Sequence, residues 1–188
     1  MKKLFIRFFM VLLISLFLTG CLTTEFKEYR FTINSDGSGS GSIKFINLVS
    51  EEDDEKDVSF ADFQELIDEY LQGEKFETDN PAYQVTSKEL YEENEQICAT
   101  VEFTFAHYSD VNFFRYDECN CAPMMYYAGD LSETVIEIDG ESVTEDESIP
   151  VYTWDPQVKN FYIKTSVKED MTDAHNFLDL YELWKGKQ

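Results

Sequence analysis

The chain has 188 residues, with 15 Lys plus Arg against 38 Asp plus Glu and a formal charge of −23. A surface this acidic repels nucleic-acid phosphates and gains nothing by charge from anionic lipid, so no nucleic-acid partner is expected. At 43% hydrophobic and 15% aromatic residues the chain is too apolar to be wholly disordered, and its length suits one domain of ordinary size.

Residues 1–7 hold Lys2, Lys3 and Arg7 and no acid, and Phe8 to Phe17 form an uncharged apolar run. That run is shorter than the roughly 20 residues needed to cross a bilayer and has the proportions of a secretory h-region. The basic end stays on the cytoplasmic side, so the remainder is expected to be exported. Leu18-Thr19-Gly20-Cys21 follows at once, and it resembles the lipobox of bacterial lipoproteins at all four positions. The resemblance covers residues 1–21 only. It implies a signal peptide, 1–20, cut between Gly20 and Cys21, with a diacylglyceryl thioether on the Cys21 sulfur and acylation, by palmitate for instance, of the new amine. Several acyl chains hold a protein at a membrane where one does not. Leu22 stands where an Asp retains Gram-negative lipoproteins in the inner membrane, which implies transfer to the outer membrane. The location implied is the cell envelope, with the membrane as partner through the lipid anchor and an envelope protein as a possible second partner.

Cys21 to Thr24 are expected to form the lipidated residue and a short tether, and residues 25–188 a single domain. Tyr29, Phe31 and Ile33, then Ile43 and Phe45, alternate with polar residues as half-buried strands do. The glycine-rich segment between them, Ser35 to Gly41, predicts a hairpin turn in which glycines supply positive φ. Ser50 to Asp57 reads as an acidic surface loop. Ser59, with Asp62 three residues on, approximates a capping box for a helix that shows Phe60, Phe63, Ile67, Tyr70 and Leu71 on one stripe and ends at Gly73. Lys75 to Ala82 reads as a loop, Tyr83 to Tyr91 as a strand, and Ile97 to Phe105 as the cleanest alternating strand. Residues 108–128 fit no single pattern. Thr134 to Ile138 reads as a strand, Val151 to Trp154 with Asn160 to Val167 as a hairpin, and Asp173 to Lys185 as a helix. About seven strands and two or three helices sum to an α+β fold: an antiparallel sheet of hairpins with the helices packed on one face.

Cys98, Cys119 and Cys121 are the disulfide candidates, since export exposes them to oxidising conditions. Cys98 lies on the outward register of its strand. The expected bridge joins it to Cys119 or Cys121 and leaves the third thiol free, because a Cys119–Cys121 bridge closes a very tight loop. The alternative is a soft-metal or redox module, with Cys119, Cys121, Met124 and Met125 within seven residues and His107 as a further ligand for zinc. Asn34 to Gly39 has the look of a calcium loop, but Phe45 stands where an EF-hand needs a bidentate acid. The acidic clusters Glu51–Asp57, Glu92–Glu95 and Glu145–Glu147 read as solvated loops rather than as sites for Ca²⁺ or a basic partner. His107 and His175 are the only histidines, neither in HExxH, and GxSxG is absent. No catalytic residue is therefore expected, nor any cofactor beyond the lipid on Cys21. The function that follows is a non-enzymatic structural or binding role in the envelope.

Overall fold

The computed structural model describes residues 21–116, 119, 121–129, 131–143 and 150–187; the signal segment 1–20 and the acidic run Glu145–Glu147 lie outside them. The fold is α+β, built on an antiparallel sheet of hairpins. Strands β1 (Leu22–Ile33) and β2 (Gly39–Glu51) form a long hairpin at the centre. β3 (Gln84–Glu93) and β4 (Gln96–Phe105) form a second hairpin, which joins through β4 to β2. On the other flank β1 pairs with β10 (Asn160–Ser166), and β10 with β7 (Thr134–Ile138). A short β11 (Ala174–Asn176) continues the β4 side of β2 at its far end. A smaller sheet runs in the order β5 (Phe113–Phe114), β6 (Met124–Tyr127), β9 (Val151–Trp154), β8 (Glu141–Ser142).

One face of the large sheet is covered in two parts. Phe31, Phe103, Phe105 and Phe161 meet Phe113, Met124, Tyr126 and Trp154 of the small sheet in one core cluster. Farther along the same face of β4, Ile97 meets Phe63, Leu66 and Ile67 from the helical segment α1 (Ser59–Glu65) and its π-helical continuation to Leu71. Phe177 and Tyr181, at the start of α3 (Leu178–Lys185), join the same cluster. A third helix, α2 (Lys75–Asp79), brings Phe76 edge-on to Phe45 at a centroid distance of 6.4 Å, between the two covers. The opposite face of the sheet carries Arg30, Glu28 and Lys164 in ion pairs.

The glycines after Asp36 do two different things. Gly37 has φ +90° and makes the turn. Gly39 and Gly41, expected in the turn, are instead extended residues of β2 on its inward face. A Cβ at Gly39 would come within 2.3 Å of both Phe105 Cζ and the Thr32 carbonyl oxygen, and one at Gly41 within 2.7 Å of Phe103 Cζ. Glycine here clears room for aromatic rings to lie across the strand.

Several other expectations are corrected. Leu22 to Thr24 pair with Ser50, Val49 and Leu48, so the expected tether is strand. β9 and β10 belong to different sheets and form no hairpin, because Trp154 packs on Phe161 from above, at a centroid distance of 5.2 Å, rather than beside it. Asp62 caps nothing: it is buried and accepts a 2.6 Å bond from Ser50 Oγ, while Asp57 accepts from the Ser59 N–H at 2.9 Å. Phe60 points to solvent, 71% exposed, outside the apolar stripe. Lys75 to Asp79 is helix rather than loop, and His175 lies in β11 rather than in a helix.

Replacing Gly39 by Ala should cost about 1–3 kcal/mol by overpacking, whereas Gly186→Ala, with no neighbour nearer than 3.4 Å, should stay within about 0.5 kcal/mol. Urea titration of the two variants checks this, and equal stabilities would mean that the rings do not lie over β2.

Candidate functional site: a cavity beside the helical cover

Between the helical run Ser59–Leu71, α2 and the chain at Leu131–Glu133, the large sheet is incompletely covered. A cavity of about 580 Å³ opens there, lined by Phe45, Leu66, Tyr70, Phe76 and Tyr83 among others. That size lies inside the roughly 300–1,000 Å³ range of ligand pockets. Lys88 of β3 fixes its roof: the ammonium donates to the Gly73 carbonyl at 2.6 Å and pairs with Glu77 at 2.9 Å, tying the end of the first helical segment and α2 to the sheet.

A charged cluster is set into the cavity wall. Lys27 and Tyr29 share the inward face of β1 with Phe31 and Ile33, and Lys27 lies directly across from Thr165 on β10. The chain entering β7 passes over this face and lowers Glu133 onto it. One Glu133 oxygen pairs with Lys27 Nζ at 2.5 Å; the other accepts from Tyr29 OH at 2.9 Å and Thr165 Oγ1 at 2.6 Å. The Glu133 side chain is 8% exposed, and a carboxylate so buried persists only when paired and hydrogen-bonded. Burial, then the Glu133 charge and the bond to it, push the Tyr29 phenol far above its usual range. Burial followed by Glu65, Asp79 and Glu69 raises Tyr70 to about 12, and burial raises Tyr83. The Lys27 ammonium carries three donors, of which Glu133 takes one, and it lies 5.6 Å from the Phe45 ring centroid. With its oxygens already accepting from three groups, Glu133 is poorly placed as a proton acceptor. The arrangement is suited to binding an apolar molecule with one polar oxygen.

In the sequence Tyr29, Phe45 and Tyr70 read only as buried positions of strand and helix, and none of the cavity residues reads as a site. Lys27 did leave a signal, as a charge in phase with Tyr29, Phe31 and Ile33 on a half-buried strand. Glu133 left none, because its role depends on a chain crossing that periodicity does not encode.

The residues that were singled out are scattered. Cys119 bonds to Cys121, with Cα atoms 5.1 Å apart, and Cys98 is an unpaired, fully buried thiol raised in pKa chiefly by burial. This corrects the expected pairing. Cys98 alternates with Ile97 and Ala99 and so points away from the face on which the small sheet and its 119–121 loop pack. Its neighbours Tyr91, Lys44 and Glu93 flank it there, the last two as an ion pair. Met124 is 1% exposed on the inner face of β6, which puts the adjacent Met125 on the other face. The two thioethers therefore do not converge, and the sulfurs of the cysteine pair are taken by each other. Among the described residues no group of three His, Cys, Asp or Glu could hold a metal. His107 caps the turn Tyr108–Val111: its ring Nδ1 accepts from the Ser109 N–H at 3.3 Å, and the His107 backbone N–H donates to the Asp110 carboxylate at 2.9 Å. His175 lies between Glu52 and Asp57, at 3.2 and 3.8 Å. The 51–57 cluster is thus spent partly on His175 and partly on the Glu51–Lys168 pair. Cys21, partly exposed, accepts a backbone bond from Glu51 at 2.9 Å and heads β1. Among the described residues no helix is long and apolar enough to cross a membrane.

Two outcomes are expected. Glu133→Gln and Lys27→Met should each cost about 2–4 kcal/mol by stranding a charge. The double variant, which removes both charges and keeps an acceptor for the two hydroxyls, should cost less than their sum by about 1–3 kcal/mol in a denaturation cycle. Separately, a phenol raised on folding favours the protonated native state. Its contribution is intact below pH 10.0, the value unfolded tyrosine takes, and declines above it as the unfolded chain ionises first, for Tyr70 through about 12. Circular dichroism recorded with phenolate absorbance should therefore show the fold being lost together with the last tyrosine protons; full ionisation with the fold intact would refute the buried network.

Comparison with protein-family models, with characterised proteins and with solved structures found no match to this chain.

Proposed function

We propose that the chain is an exported lipoprotein, fixed to the cell envelope through Cys21, whose body folds as one unit and binds an apolar small molecule without catalysing a reaction on it. The observation that carries the binding role is the 580 Å³ cavity with the Lys27–Glu133 pair in its wall. The lipobox resemblance of Leu18 to Cys21 supports the anchor, and the basic start with its short apolar run supports export. Leu22 after the cysteine favours the outer membrane in a Gram-negative cell, with the bilayer as the constant partner.

A second reading, a redox module on Cys119 and Cys121, has one observation in its favour: the two are bonded to each other in a loop where Cys121 is exposed. The cavity plays no part in it.

Two measurements test the leading proposal. Intact mass of the envelope protein should give a chain starting at Cys21 with added acyl mass, and Cys21→Ser should give an uncut precursor or a soluble product. The uncharged dye Nile red should brighten on binding the wild-type chain. It should bind the cavity-filling Ala99→Phe variant roughly tenfold more weakly at similar thermal stability. Equal binding to both places the dye elsewhere and removes the cavity from the function.

A further inference from the structure

We infer that the cavity takes one acyl chain of an uncharged glyceride drawn from the bilayer, with an ester or hydroxyl oxygen of its head held by the Lys27 ammonium. This rests on the ligand-binding reading above and names the class of ligand.

The shape argues for a chain. Lining residues run along β1 from Leu22 to Tyr29, about 23 Å at 3.3 Å per residue. The 580 Å³ volume is ample for one acyl chain laid along that length. Leucines at 22, 48 and 66 line one stretch and Ile43, Tyr83 and Val101 another, so hydrocarbon is met on both sides of Lys27.

The charges argue for an uncharged head. Lys27 and Lys88 line the cavity against Asp79, Glu89 and Glu133, and Lys88 is already committed to Glu77 and the Gly73 carbonyl. Lys27 is matched by Glu133 while Asp79 and Glu89 stand exposed at the mouth, so a carboxylate or phosphate would have to pass negative charge, on a chain of charge −23. A cationic head would meet the Lys27 ammonium. A neutral oxygen acceptor meets neither repulsion and takes a donor that Glu133 leaves over. The source follows from placement: the lining begins at Leu22, one residue after Cys21, so an anchored chain keeps this cavity beside the bilayer.

The test uses the full chain in its own membranes with three photoreactive probes: a palmitoyl monoglyceride, palmitic acid and a small hydrocarbon. The monoglyceride should label peptides that line the cavity, and palmitic acid should label them roughly tenfold less. The Lys27→Met, Glu133→Gln double variant should lose roughly tenfold in monoglyceride labelling while hydrocarbon labelling persists, which also reports that it has folded. Equal or stronger labelling by palmitic acid would overturn the uncharged head, and undiminished monoglyceride labelling of the double variant would overturn the role of Lys27. Hydrocarbon labelling of the cavity without monoglyceride labelling would overturn the glyceride and leave the binding reading in place. Absence of cavity labelling by all three in the wild-type chain would overturn both.

Discussion

The central strands are longer than anything available to cover them. β2 has 13 residues and spans about 43 Å at 3.3 Å per residue. The longest helical run, Ser59 to Leu71, is about 20 Å at 1.5 Å per residue, and α3 is shorter still. One apolar face therefore needs two covers. The small sheet supplies one, with Phe113 packed on Phe31 and Phe161, Trp154 edge-on to Phe161, and Tyr126 against Phe113. The helices supply the other, through Phe63, Leu66, Ile67, Phe177 and Tyr181. The cavity is a seam of incomplete cover beside the helices, walled by the helical run, α2 and Leu131–Glu133. A β-strand backbone has no reason to break there; what changes is the identity of the partner above it.

The inward phase of the strands shifts near this seam. Ile43 and Phe45 of β2 point inward, and strict alternation would send Asn47 in next. Asn47 instead takes φ 58°, its amide donates to Glu25 at 2.7 Å, and Leu48 is the residue that turns to the helices. Asparagine is among the few residues that tolerate this conformation. On β1 Lys27 keeps the phase of Tyr29 and Phe31, whereas Thr24, paired with Leu48, lines the cavity out of that phase. One left-handed residue thus lets a single hairpin serve two covers, with the charged cluster beside the point of change.

Local pattern carried the strands and most of the helices, and it stopped where a residue's role is set from across the sheet. Ile97 to Phe105 reads correctly because its alternation is complete on its own. Gly39 and Gly41 read as turn residues because turn chemistry and ring clearance both ask for glycine, and only the positions of Phe103 and Phe105 distinguish the two. Cys98 has the outward register it was given, yet flanking side chains bury it. β9 and β10 look like a hairpin in sequence, and the short Asp155–Pro156 link is compatible with one, but it carries the chain between layers. Glu133 was illegible for the same reason: three donors on two strands define its site, and none lies near it in sequence except across the fold.

Lys27 separates a structural account of the cluster from a functional one. A carboxylate that only had to pin the β7 entry onto the sheet is served by the hydroxyls of Tyr29 and Thr165, both short and both buried. Adding an ammonium brings a second desolvation cost, which a well-packed apolar side chain of similar volume at position 27 would avoid. Local rules tend to be broken at sites where something else is gained. Here the ammonium lies against Phe45, faces an open cavity, and among the described residues donates to Glu133 alone. Glu133 then has two tasks: it holds the chain crossing in place, and it keeps the net charge of the Lys27 pair near zero, so that the cavity can present a hydrogen-bond donor to an oxygen at little cost in net charge.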